Sequence, residues 1–247
     1  MVTADPAVQA RLLDVQALDT LLAQLAHRRR NLPELATISS AEADADRLRQ
    51  QRVGIETRLS DIAREQRRLE DEIDVVRSRE DRDQARLTSG GIPAKELERL
   101  QHELQSLSRR QSTLEDDALT VMESREELET QLTEVSAQQN EIDATRTQAV
   151  VVRDAAWAEI DADIARHSKR RAQLAGTMPS DLMTLYDTVR RAQGGVGAAL
   201  LRQRRCEGCR LELAGSELSG VRQAAPEDVV RCENCRRILV RTAESGL

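Results

Sequence analysis

The chain has 247 residues, of which 32% are charged and 1% aromatic, and it carries a net charge of −6 at neutral pH. One tryptophan, one tyrosine and no phenylalanine are too few rings for a large compact core, whereas the abundance of Ala, Leu, Glu, Gln and Arg is the profile of long helices. No run of eighteen apolar residues exists, which excludes a helical membrane span, and no secretory leader is visible, so the cytoplasm is the expected compartment.

Asp5-Pro6 opens a first helix, with a capping carboxylate before a proline at the first helical position. Val8, Val15, Leu18, Leu22, Leu25 and Leu32 then recur at helical spacing until Pro33, where a kink belongs. From Ile38 to Leu87 eleven of fifteen positions on one three-four register are apolar, which specifies a coiled coil. Arg52, Gln66, Glu80 and Asp83 interrupt this seam and are read as fixing register, with a partner-binding face as the other reading. Residues 88–93, Thr-Ser-Gly-Gly-Ile-Pro, stop one helix and open the next, so they form a hairpin tip. Beyond the tip the register resumes from Leu97 to Ala149, broken at Gln111, Arg125, Gln139 and Arg146. Two matched arms on a short tip predict an antiparallel intramolecular pair. Past Ala149 the spacing of Val152, Ala156, Ile160 and Ile164 includes successive gaps of four, a stutter that unwinds the supercoil. The first helix is expected to pack there, with Trp157 filling the wider core.

Gly176 to Pro179 ends the second arm, and Ser180 is read as the cap of a short helix running to Ala192. Strands are expected at 196–201, 210–213, 229–231 and 238–240, with a helical turn at 216–221. The cysteines of the chain, Cys206, Cys209, Cys232 and Cys235, fall here as two C-x-x-C pairs. Two such turns face each other around one tetrahedral zinc; a pair of disulfides or a redox dithiol is the other use of such spacing, disfavoured without a leader or a β-α-β pattern. Gly208 and Asn234 are the residues expected to take positive φ in the two turns. The domains so read are 1–178, a coiled-coil hairpin kinked near 33, and 179–247, a short helix plus a four-cysteine ribbon that depends on its metal.

Arg202, Arg204, Arg205, Arg210, Arg236 and Arg237 flank the ligands and are the candidate contacts for nucleic acid or another partner. From Arg202 to Arg241 nine arginines stand against six acidic residues, so a basic ribbon follows an acidic helical part. Catalysis is not expected: four thiolates close the zinc to water, and His27, His102 and His167 form no ligand or triad pattern.

The tip from Thr88 through Leu97 to Leu100, the stretch Pro179–Tyr186, the knuckle Cys206–Cys209 and above all Arg231-Cys-Glu-Asn-Cys-Arg-Arg-Ile-Leu-Val240 resemble bacterial C4-type zinc-ribbon, coiled-coil hairpin proteins. The resemblance spans nearly the whole chain. It implies a mainly α protein, a long kinked antiparallel coiled-coil hairpin with a small C-terminal β ribbon docked near its open end, and one structural Zn2+ held by Cys206, Cys209, Cys232 and Cys235. Members of that family are described as nucleic-acid-binding, and some act in flagellar gene control through a sigma factor or messenger RNA. The implied role is an adaptor in transcription or RNA regulation whose partner is RNA, DNA, a transcription-related protein or both. A protein-only adaptor or chaperone is the alternative. No membrane or small-molecule substrate is expected, and the protein is expected as a monomer or weak homodimer.

Overall fold

The computed structural model describes residues 2–247. Five α-helices and three short strands follow one another as α1 (Pro6–Arg30), α2 (Pro33–Thr88), α3 (Ala94–Ala175), α4 (Ser180–Ala192), β1 (Ala198–Arg202), β2 (Arg205–Cys206), α5 (Gly215–Gln223) and β3 (Ile238–Val240). The fold is a long antiparallel helical hairpin with a small C-terminal sheet. Contacts divide the chain into two compact units, Ala36–Val150 on its own and the stretch up to Leu35 together with Val151–Leu247. These units group α1 with the ribbon.

Within the Ala36–Val150 unit, Arg110 pairs with Glu72 at 2.9 Å, Arg79 with Glu103, and Arg86 with Glu96 at 3.2 Å. Partners on α3 fall in number as those on α2 rise, which fixes the antiparallel sense. Leu69, Ile73 and Leu114 are buried between the arms, with Val76, Ala118 and Val121 packed against them. Two seam interruptions meet: Arg125 Nη1 donates to Gln66 Oε1 at 3.2 Å. Only one register lets that pair form, so the polar positions specify alignment. At the tip Gly90 and Gly91 take φ of 74° and 81°, the left-handed turn that separates the arms and favours glycine. Leu97, expected in the seam, is 38% exposed beside that turn.

In the other unit α1 starts as read, with Asp5 accepting from the Ala7 amide at 2.8 Å. It ends at Asn31, whose amide reaches the His27 and Arg28 carbonyls before Pro33 restarts the helix. Leu25, Leu32 and Ile160 form one buried cluster with Trp157 packed against it. The indole donates to Arg29 O at 3.0 Å, and the guanidinium groups of Arg29 and Arg153 lie 4.7 and 4.6 Å from the ring centroid. Val152 is 41% exposed and takes no part in that core. The α4 cap is Pro179, not Ser180: Ser180 is the first helical residue and makes no side-chain cap bond, while Asp181 accepts from the Leu182 amide at 2.8 Å.

The sheet runs β2-β1-β3, with β1 antiparallel to β2 and parallel to β3. Residues 210–213 and 229–231 form single bridges, Arg205 to Glu212 and Arg231 to Ile238, where strands were expected. The edge is completed from an unexpected direction. Thr3 bridges Asp228, the Ala4 amide donates to Glu227 O at 2.8 Å, and the Val229 amide donates to Val2 O at 3.2 Å. Residues 2–4 therefore act as a short covering strand, which removes an open sheet edge.

The candidate metal centre

Each cysteine pair sits in a turn closed by the same two backbone bonds. In the first, Cys206 N donates to Leu211 O at 3.0 Å and Arg210 N to Cys206 O at 2.7 Å. In the second, Cys232 N donates to Arg237 O at 3.0 Å and Arg236 N to Cys232 O at 2.8 Å. The repeat explains why one ion can be approached symmetrically. The four Sγ atoms lie within 4.8 Å of one another, with Cys206–Cys235 at 3.8 Å and Cys209–Cys232 at 3.9 Å. A tetrahedral zinc with Zn–S near 2.3 Å requires sulfurs about 3.8 Å apart. The donor set fits one structural zinc, and four thiolates leave it no open position.

Positive φ falls two residues later in each turn than the sequence suggested. Neither Gly208 nor Asn234 adopts it; Arg210 (62°) and Arg236 (60°), the residues after the second cysteine of each pair, do. There the chain must reverse to return its amide to the first cysteine's carbonyl. Gly208 is needed for a different reason, since a Cβ on it would lie 2.6 Å from Arg237 Cδ and 3.0 Å from Ala199 Cβ.

Arg237 braces both halves of the site from inside. Its guanidinium donates to Val196 O and Gly208 O, both at 3.2 Å, and to Gln193 O at 3.0 Å. Gly208→Ala is therefore expected to loosen the centre, because a guanidinium pinned by three carbonyls cannot swing clear. The cost should be about 1–3 kcal/mol, read as faster loss of zinc to a chelator. Glu217 on α5 is buried and accepts from the Glu233 amide at 2.7 Å, fixing the second turn from the other side.

Burial pushes the Cys206 thiol well above its usual range, against the Cys209 and Gly208 amides directed at its sulfur. Burial also pushes Cys232 up to about 11, opposed by the amides of Cys235 and Asn234. Cys235 moves down: burial would raise it, but the Arg237 amide and side chain, with the neighbouring thiols, outweigh that. A coordinated ion holds all four as thiolates.

The six arginines expected around the ligands do not form one patch of equals. Arg237 is half-buried and committed to the brace. Arg202 pairs with Glu244 at 3.1 Å, and Arg204 donates to Gly246 O at 3.1 Å. Arg205, Arg210 and Arg236 are exposed and, among the described residues, have no side-chain hydrogen bond or ion pair. Only a fold could separate Arg236 from Arg237, adjacent in sequence and opposite in role.

A second polar cluster, buried where α1 meets α4 and the start of the ribbon, had no signal in the sequence pattern. Gln16 Oε1 accepts from the Gly197 amide at 2.7 Å and lies 3.1 Å from the Tyr186 hydroxyl. The same hydroxyl donates to Asp19 at 2.7 Å, and Arg171 and Arg190 reach that carboxylate at 3.2 and 3.4 Å. Burial and then the Asp19 carboxylate raise the Tyr186 phenol far above its ordinary value. Gln9 closes the edge, donating to Ala4 O at 2.8 Å and to the Pro226 and Glu227 carbonyls at 3.1 Å.

Comparison with known proteins agrees with this geometry. Residues 15–194 match the CT398-like coiled coil hairpin domain, and residues 205–239 match the C4-type zinc ribbon domain. The chain is 41% identical over 238 residues to a Mycobacterium tuberculosis protein designated Rv2229c, covering 96% of this chain and 97% of that one. A solved structure from Mycobacterium smegmatis superposes with a TM-score of 0.85 at 37% identity, covering 97% of this chain and all of that one. CT398 from Chlamydia trachomatis shares the fold, with a TM-score of 0.70 at 17% identity over 94% of this chain and 97% of its own. The chain belongs to the CT398-like coiled-coil hairpin family and ends in a C4-type zinc ribbon.

Proposed function

We propose that this is a non-enzymatic binding protein whose zinc-braced ribbon holds nucleic acid by its phosphates and whose helical hairpin serves as an adaptor arm in transcription or RNA regulation. The observation that carries this reading is the set of exposed, unpaired arginines, Arg205, Arg210 and Arg236, on a rigid turn pair. Cations held ready without internal partners suit a polyanion. Neither aromatic residue lies in the ribbon, so base stacking is not available there and sequence discrimination should be weak. The four-thiolate centre supports no chemistry, having no site for water.

Binding of a labelled single-stranded RNA should therefore be strongly salt-dependent. Three phosphate contacts give a slope near −2 in log affinity against log salt, an expected loss of about tenfold to twentyfold between 50 and 200 mM. Affinity that stays level across that range would refute the phosphate reading.

A protein-only adaptor is favoured by a separate observation: Val53, Val75, Leu119 and Met122 are exposed apolar side chains along the paired arms. Recovery of one specific partner, such as a transcription-related protein, after nuclease treatment would support it. Loss of all partners on nuclease treatment would return the role to the ribbon.

A further inference from the structure

Among the described residues four non-glycines adopt left-handed φ: Gln203 (45°), Arg204 (63°), Arg210 (62°) and Arg236 (60°). All four belong to the ribbon, and three are arginine. Side chains with a Cβ are disfavoured in this region, where glycine or asparagine is the usual occupant. Gln203 and Arg204 have a structural account. They form the two-residue turn between β1 and β2, and their amides donate to Glu244 O and Ser245 O, both at 2.8 Å. Arg204 Nε also reaches Gly246 O, so this turn fastens the following chain to the sheet.

At Arg210 and Arg236 the backbone has an account but the choice of side chain has none. Their amides close the two cysteine turns, a task glycine would perform equally well without strain. Their side chains are exposed and make no hydrogen bond or ion pair with any described residue. They hold equivalent places in the two turns, each next to a cysteine whose sulfur lies within 4.8 Å of the other three. Backbone strain kept at two matched positions, for side chains the fold does not use, is the signature of a functional demand.

We infer that Arg210 and Arg236 form a paired phosphate clamp beside the zinc, the part of the ribbon that grips the nucleic-acid backbone. This rests on the nucleic-acid reading above and narrows it to two residues. The left-handed backbone sets where each guanidinium starts, and the metal fixes the two starting points relative to each other. Such preorganisation lowers the ordering cost of binding.

The test uses the full chain with zinc bound, a fluorescein-labelled twenty-nucleotide oligouridylate, and the double variant Arg210→Gly/Arg236→Gly. Zinc stoichiometry and the midpoint of thermal unfolding should equal or exceed those of the parent, because glycine relieves the strain. RNA affinity should fall by about tenfold, and the salt slope should flatten by about 1.4, or roughly 0.7 for each lost contact. Arg210→Lys/Arg236→Lys, which keeps the charges, should retain most of the slope. Parent-like binding by the double glycine variant would overturn the clamp while leaving the nucleic-acid reading intact. Loss of zinc from that variant would also overturn it, by showing that the arginines serve the charge of the thiolate cluster. No binding by the parent would defeat the broader reading itself.

Discussion

Replacing Cys232 with serine is expected to release the metal and unfold the ribbon while leaving the helical signal of residues 36–150 in place. The ribbon's own core is Ala199, Leu201, Cys206, Leu213, Val221, Cys232 and Leu239, so two of its buried members are themselves ligands. Apolar burial on that scale cannot replace a metal whose binding supplies about 10–16 kcal/mol in small zinc modules. The arms have a separate apolar seam around Leu69, Ile73 and Leu114 and need no ion. Metal content by atomic emission, far-ultraviolet circular dichroism and hydrogen exchange would together locate the damage. Exchange protection lost throughout 36–150 would contradict the expected independence.

Asp19→Ala should be the most damaging substitution outside the ligands. The Asp19 side chain is 4% exposed and receives Arg171, Arg190 and the Tyr186 hydroxyl. Its removal leaves two guanidinium groups and a buried phenol without their shared acceptor, a loss of about 3–5 kcal/mol. Tyr186→Phe removes a single donor and leaves both ion pairs, so it should cost only about 1 kcal/mol. Denaturant unfolding that ranked the two variants in the reverse order would show that the hydroxyl, not the carboxylate, organises the cluster.

Much of this architecture was legible in the residues because its causes are local or periodic. A seam repeating at three-four spacing declares a coiled coil wherever it occurs. Gly90-Gly91 before Pro93 declares a tip, and paired C-x-x-C turns declare a tetrahedral ion. What could not be read depends on contacts distant in sequence. Gln9 and Gln16 resemble solvent-facing residues of an amphipathic helix, yet they are buried because ribbon backbone groups at Gly197, Pro226 and Glu227 require partners. Val2 to Ala4 are too short a run to signal a strand. Left-handed backbone at Arg210 and Arg236 was hidden because arginine is not a residue that invites that conformation, and the neighbouring Gly208 drew the expectation to itself.

The bridge between Thr3 and Asp228 has a temporal consequence. A nascent chain presents Pro6–Arg30 to solvent long before the ribosome has made the segment that covers it. The intervening hairpin can zip locally from its tip during that interval. Leu12 and Val15 meanwhile stay bare, and closure of their unit waits for translation to reach Val240. Premature termination before the second cysteine pair should therefore yield a folded rod with a sticky flank, a product suited to chaperone capture or aggregation.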